Sequence, residues 1–384
     1  MNTKRVLTIV FKEWREIFRD RIYFSLAFLL PIVLMLVFGY GLTQEVENVP
    51  FVIVDYDRSG LSRDYAHRYI DSRYFDFKGY RRSAGEVESL LTDNKVKLAI
   101  IIPENFQERL VSAQQIEIQT LLDGSFTYRL RTIDGYVAAI NNAASNELQM
   151  EYLIRRLGIP LQRAQTILQP IKLEVRYLYN QELREIWSIA PSLVMFILMI
   201  IAPLLTALSV VREKETGTIY NIYASTITRL EFLAGKLIPN VTVSFINAII
   251  LLSIATLYFG APFKGNLLFF LLASLIYVIA ISSIGLLISL MVQTQIAALM
   301  ISIVLAFILA MQFSGMLTPV SSMTGANYFM AHIFPPKYFN DIVSNTFLKG
   351  GGLIASWREF VALVGFAIGL LMLGYLNFHK RGRT

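Results

Sequence analysis

The chain alternates between long uncharged apolar runs and polar stretches. Six runs, Phe24–Leu42, Ile189–Val211, Ile238–Phe259, Leu267–Val292, Ile296–Leu317 and Phe360–Phe378, contain no Asp, Glu, Lys, Arg or His. A helix needs about 20 apolar residues to cross a hydrocarbon core about 30 Å thick. Buried helices of a water-soluble core are usually shorter and keep a polar stripe. The pattern therefore predicts six spanning helices. The first run begins late and has no clear small-x-small site after it, so it reads as an uncleaved anchor rather than a signal peptide.

Between the first two runs, residues 43–188 switch to a different rhythm. Val49–Asp55, Phe75–Tyr80, Val96–Ile102 and Ile116–Leu122 read as short strands. Helical patterns separate them, from Ser62, over Ala84–Asn94 and over Glu104–Ala113. A longer helix is predicted at about Tyr128–Leu157, followed by an extended stretch, Ile171–Tyr179. Strands spaced by helices predict a small α/β sheet. The expected fold is thus an α-helical polytopic membrane protein with six transmembrane helices and an α/β extracytoplasmic domain inserted between helices 1 and 2.

Composition agrees: 55% of the 384 residues are hydrophobic and 16% are charged, with a mean hydropathy of +0.52. An average soluble domain has about 45–50% apolar and about 25% charged residues, so a purely soluble enzyme is excluded. The chain has no cysteine, which excludes disulfides, thiolate catalysis and cysteine-ligated metal. Its formal charge is +7. With the N-terminus inside, segments 1–23, 212–237, 293–295 and 379–384 carry the whole excess of Lys and Arg, and the outside segments are balanced. The excess is a topology signal rather than a nucleic-acid footprint. It puts both termini, including the basic tail 379–384, in the cytoplasm.

Candidate chemistry in the outside domain is sparse. Asp55 and Asp57 at a strand end could hold a metal or share a proton, but such residues more often end a strand and open a turn. His67 has no visible partner cluster and reads as a surface or packing residue. No phosphate-cradling loop exists: Ala234-Gly235-Lys236 lacks the G-x-x-x-x-G-K-[ST] spacing, with Leu230 and Leu237 where Gly and Ser or Thr are needed.

The inside segments say more. Residues 3–21 project as an amphipathic helix. At about 100° per residue, Val6, Leu7, Val10, Phe11, Trp14, Ile17 and Phe18 fall within about 140°, and Ile9 is a misfit on the polar side. Such a basic, aromatic-bearing helix within residues 1–23 fits a membrane surface, with Trp14 and Phe18 as interface residues. Residues 212–237 form the one sizeable inside loop. Arg212, Glu213, Lys214 and Glu215 follow the second span directly, a short helix fits Thr218–Ser225, and a second fits from about Thr228 to Leu237. A short helix there has the shape needed to receive a push from a soluble partner, although composition alone is equally consistent with a solvated loop.

Three groups of motifs, in this order, carry a resemblance. The outside domain has VDYDRSGLS (Val54–Ser62), IIPENFQERL (Ile101–Leu110) and LLDGS (Leu121–Ser125). The inside loop has REKETGT with EFLAGK (Glu231–Lys236). The late outside segment has FPPKYF (Phe334–Phe339) with FLKGGGL (Phe347–Leu353). Over essentially its whole length the chain resembles the long-form membrane subunit of ATP-binding cassette exporters, the type-two transport permease family. That resemblance implies a bacterial inner-membrane permease with no catalytic, cofactor or metal residues of its own. Its partners would be two ATPase subunits carrying ATP and Mg, a second permease (identical or paralogous), membrane lipids and, as a further candidate, a periplasmic adaptor. By the same resemblance the segment after the second span would be the ATPase-coupling element, with Arg212, Glu213, Glu215, Gly217 and Thr218 matching one motif and Gly235 and Lys236 a later one. The chain departs from the family at Tyr220, where an acidic residue is common, and near Thr226, where a proline is. Residues 318–357 would hold short re-entrant helices on the outer side.

Three function classes follow. The leading expectation is an exporter permease that moves an apolar or amphiphilic substrate, powered by a separate ATPase. The second is a non-transporting membrane protein whose outside domain senses a ligand or scaffolds partners. The third, an ion-coupled carrier, normally places ionisable groups within its spans, and these spans have none. Their polar residues are mild: Asn240, Asn247 and Gln312, with Gln293 at an edge. Ser282, Ser283 and Gly285 could permit close helix packing.

Overall fold

A computed structural model describes residues 2–42, 48–112, 114–125, 127–155, 157–168, 178–182 and 184–378. These form two compact units, residues 45–175 and residues 1–44 with 176–384. Residues 171–177 of the extended stretch read at Ile171–Tyr179, and the basic tail 379–384, lie outside the described residues.

In the helical unit, α1 (Thr3–Arg19) leads into α2 (Arg21–Leu42). The α/β unit then carries β1 (Val49–Asp55), α3 (Gly60–Ile70), β2 (Phe75–Arg81), α4 (Ala84–Thr92), β3 (Leu98–Ile102), α5 (Phe106–Val111), β4 (Gln119–Leu122), α6 (Thr127–Arg155) and α7 (Leu161–Leu168). The sheet order is β2-β1-β3-β4, with β1 parallel to both neighbours and β4 antiparallel to β3. The period of two decides which side chains meet which layer. Phe51, Ile53, Leu98, Ile100 and Ile102 pack with Tyr65 and Tyr69 of α3 and Ile133 and Val137 of α6. Val52, Val54, Ala99 and Ile101 face Val87 of α4 on the other side. Both faces are covered, which is why β3 reads as an unbroken apolar run.

Asp55 and Asp57 act as caps. Asp55 accepts hydrogen bonds from the Asp57 and Arg58 amides at 3.0 and 2.9 Å and from Ser62 Oγ at 2.8 Å. Asp57 accepts from the Gln107 amide at 3.1 Å. The turn reading of this pair therefore describes what it does here. His67 is exposed on α3, and among the described residues no group of three or more His, Cys, Asp or Glu could hold a metal.

The helical unit continues with α8 (Ile186–Glu215), α9 (Ile219–Ala224), α10 (Arg229–Tyr258), α11 (Leu267–Met291), α12 (Gln295–Gln312), α13 (Ala326–Ile333), α14 (Pro335–Ser344) and α15 (Trp357–Asn377). Six of its helices, α2, α8, α10, α11, α12 and α15, are long and apolar enough to cross a membrane. Their burial is unequal: the apolar window of α8 is 100% buried, that of α15 only 17%. α8 is the hub, with α2, α10, α11, α12 and α14 packed around it. At the α8–α11 crossing a Cβ on Gly285 would lie 2.3 Å from the Pro203 carbonyl oxygen, so the small residue is what lets the two backbones approach. Tyr277 of α11 donates to the Met195 carbonyl of α8 at 3.2 Å and stacks on Phe339 of α14.

Two of the mild polar residues, Asn240 and Asn247, are structural joints. Asn240 Nδ2 donates to Ser209 Oγ at 3.1 Å, and its Oδ1 accepts from Tyr23 of α2 at 3.0 Å. Asn247 donates to the Ala27 carbonyl at 2.7 Å. These bonds tie α2 to α10, and α10 to α8, where the hydrocarbon offers polar atoms no alternative partner.

Two expectations about the inside loop change. Arg212–Glu215 is the last turn of α8, not the start of a loop. The helix expected at Thr228–Leu237 is not separate: a capping box between Thr228 and Glu231 starts it, and it runs through Pro239 into the third span. Short helices do occupy the 318–357 region, where Phe339 and Phe347 are fully buried.

Candidate coupling site at the charged end of the helical unit

The turn Arg212–Glu215 completes the hub helix, and successive residues on a helix point about 100° apart. Its four charged side chains consequently reach different elements. Arg212 pairs with Asp20, at the junction of α1 and α2, at 2.9 Å. Glu213 accepts from Lys236 of α10 at 2.5 Å and from Lys12 of α1 at 2.8 Å. Lys214 donates to the Ser289 and Val292 carbonyls, satisfying acceptors that the end of α11 leaves open. Glu215 accepts from the Gln295 amide and side chain, at the start of α12, at 3.2 and 2.8 Å. One helical turn thus joins five helices through charge-assisted bonds.

The centre of this collar is dry. Lys236 is 0% exposed, Glu13 2% and Glu213 3%. The Lys236 ammonium donates to Glu13, to Glu213 and to the Ser209 carbonyl, the last at 2.8 Å. Lys12 supplies the second cation, so two carboxylates face two ammonium groups and the cluster is neutral. Burial pushes the Glu13 carboxyl above its ordinary range, against the opposing pull of Lys236. Glu213 Oε2 is buried with no hydrogen-bond partner among the described residues, so acceptors already outnumber donors and the cluster has no donor to spare.

α1 is held at three levels. Near its start the Asn2 amide donates to Glu231 at 2.6 Å, and Arg5 donates to the Thr226 carbonyl at 2.7 Å. At its middle are Lys12 and Glu13, and at its end Asp20. Between them Ile9 packs on Gly235, where an added Cβ would lie 2.6 Å from Ile9 Cβ. This corrects the amphipathic reading. Ile9 is no misfit: with Val6, Glu13 and Ile17 it forms a buried seam against the protein. Leu7, Phe11 and Phe18 are left 52%, 69% and 60% exposed. Trp14, half-buried, stacks on Phe18.

The residues selected from sequence therefore divide. Glu213, Gly235 and Lys236 are turned inward, and their direct work is to hold α1, α8 and α10 together. Glu215 and Thr218 are exposed, and Arg212 and Gly217 half-exposed. Gly217 has φ +76° just past the end of α8, the left-handed conformation that glycine adopts without strain and that commonly ends a helix. It turns the chain into α9, where Ile219 is buried and Tyr220 is 70% exposed. Glu13 and Asp20 were not singled out from the sequence, and Lys214 and Glu231 were named only within their motifs, not as coupling residues. The one hint lay in the misplaced Ile9, four residues before Glu13 on the same face.

The hub helix of this multi-helix unit thus ends in a charged collar beside the short exposed helix α9. The sequence pattern of the ABC-2 family transporter proteins matches residues 21–376, and the chain belongs to that family. It is a permease subunit of the ABC transporter type, a multi-pass inner-membrane component in a family that works with ATPase subunits. It is 26% identical over 382 residues to the probable multidrug ABC transporter permease YbhS of Escherichia coli K12, covering 99% of this chain and 98% of that protein. It is 27% identical to the probable multidrug ABC transporter permease YbhR of the same organism, covering 98% and 99%. It is 22% identical to ABC transporter G family member 20 of Dictyostelium discoideum, covering 97% of this chain and 50% of that protein.

Proposed function

We propose that the chain is the membrane half of an ATP-driven exporter that moves an apolar or amphiphilic substrate out of the cytoplasm or inner leaflet. Two separate ATPase subunits supply the energy, and a second permease completes the pathway. In this reading both termini and the collar face the cytoplasm, and residues 43–188 lie outside. α9, with Tyr220 exposed and Gly217 as its pivot, receives the ATPase, and Arg212–Glu215 passes the movement on. The single observation that carries the reading is this turn: it ends the hub helix, whose apolar window is fully buried, and bonds to α1, α10, α11 and α12 at once. A displacement of α9 passed through the Gly217 turn therefore reaches five helices. The multidrug names of the two bacterial relatives support an apolar or amphiphilic cargo, as do spans free of ionisable groups.

The test is co-purification with a soluble ATPase and ATP-dependent export from inverted vesicles. Thr218→Arg, which places a charge on the exposed approach to α9 and leaves the buried cluster alone, is expected to abolish association and export together. Unchanged association and export would overturn the coupling assignment. Because the chain has no cysteine, single thiols introduced at Asp55 and Arg229 report orientation directly. They are expected to label from opposite sides, and labelling from one side would overturn the topology.

A further inference from the structure

Seen down its axis, α1 has three sectors rather than two. Val6, Ile9, Glu13 and Ile17 face the protein. Leu7, Phe11 and Phe18 form an exposed apolar sector. Lys4, Thr8, Lys12, Arg15 and Arg19 occupy the arc that borders Phe11, at about 100° per residue, and all five are exposed. The third sector contains a shallow groove of about 520 Å³ lined by Thr8, Phe11, Lys12, Arg15, Glu16 and Arg19.

The charges in this groove are unevenly matched. Glu16, its one acid, faces Lys12 at 3.7 Å, and Lys12 is also engaged by Glu213. Among the described residues neither the Arg15 nor the Arg19 guanidinium pairs with a carboxylate. The two guanidiniums, four residues apart, stand on one face of the helix. They lie beside aromatic rings that need an apolar medium, on a helix that leads directly into the first span. An interfacial helix buries its apolar face roughly 5–10 Å into the headgroup boundary, which brings residues at the border of that face to the level of the lipid phosphates. Guanidinium groups match phosphate oxygens in a planar, two-pronged geometry.

We propose that Arg15 and Arg19, with Thr8 and Phe11, form a binding site for the phosphate headgroup of an anionic phospholipid, whose acyl chains lie along Phe11 and Phe18. The site adds a lipid-dependent anchor to the helix that the collar holds on its opposite side. It rests on the reading above only in requiring α1 to lie at a membrane surface.

The experiment uses the full chain purified in mixed micelles of phosphatidylcholine and phosphatidylglycerol, with retained lipid counted by native mass spectrometry. The wild type is expected to retain phosphatidylglycerol preferentially. Each Lys or Arg near an anionic surface contributes roughly 5-fold, so Arg15→Gln with Arg19→Gln should cut the preference about 25-fold. Arg15→Lys with Arg19→Lys keeps the charge and loses the two-pronged geometry, so it should keep part of the preference, which guards against a folding defect, and Lys78→Gln in the α/β unit should leave it unchanged. Equal retention by the Gln variant and the wild type overturns the proposal. Displacement of the lipid by excess inorganic phosphate overturns it in favour of a free-phosphate site. Unchanged retention with loss of ATPase co-purification overturns it in favour of a protein-docking stripe. The same preparations are assayed for ATPase association, so a wild type that retains the lipid but binds no ATPase refutes the exporter reading and leaves this site standing.

Discussion

Lys236→Met removes the one ammonium group that Glu13 and Glu213 share. Methionine occupies a similar volume, so packing is largely kept and the loss is electrostatic. Glu213 retains Lys12 at 2.8 Å, but Glu13, 2% exposed, keeps no cation. Removing one partner from a buried ion pair typically costs about 3–5 kcal/mol, because the remaining charge is stranded, whereas replacing the whole pair with apolar groups is often near neutral. The single variant should therefore destabilise the docking of α1 by about 3–5 kcal/mol, a shift of roughly 150-fold to 5,000-fold in the docking equilibrium. Glu13→Met combined with Lys236→Met should cost about 1 kcal/mol or less, since Lys12 still neutralises Glu213. Hydrogen exchange of the α1 amides in detergent measures both, through the protection of residues 6–17. If the double variant is as labile as the single one, the charge argument fails and the damage is one of packing. If Lys236→Met leaves protection unchanged, the cluster is not what holds α1.

Three further outcomes follow from the same geometry. The Glu13 carboxyl sits above its ordinary value of 4.5 because burial disfavours its charge, so the docked helix binds this proton more tightly than the free one. Docking should then weaken as pH rises from 4.5 through the raised value, and Glu13→Gln should flatten that dependence in the exchange measurement. Gly235→Ala sets a methyl group 2.6 Å from Ile9 Cβ and should raise α1 exchange by about 5-fold to 150-fold, as overpacking costs about 1–3 kcal/mol. Adding Ile9→Ala removes the Cγ2 and Cδ1 contacts but keeps the Cβ one, so it should restore part of the protection, and no restoration at all would place the clash elsewhere. In the α/β unit, the hydrogen bond from Lys97 holds Asp123 well below its ordinary 3.8, assisted by Ser125. That stabilisation is present above 3.8 and is lost as pH falls through the lowered value, so the thermal midpoint of Asp123→Asn should fall less steeply with acid than that of the wild type.

Six spans and an alternating α/β insert were legible in the chain alone, and the reason is one-dimensional. A bilayer demands about 20 consecutive residues of one kind, and a strand covered on both faces demands a short apolar run between turns, so neither signal depends on what lies far away in sequence. The caps at Asp55 and Asp57 were legible for the same reason, because a strand end and its turn are local. The motif glycines were visible as residues but their reasons were not. Gly217 answers to a backbone angle, Gly235 to a helix that comes from the other end of the chain. What only the tertiary structure decided is which helix becomes the buried hub and which face of α1 packs against protein. Glu13 and Lys236 stand 223 positions apart, and no periodicity within either helix marks them as partners. A buried charge is tolerable only where an opposite one is delivered to it, and that delivery is a property of the packed fold.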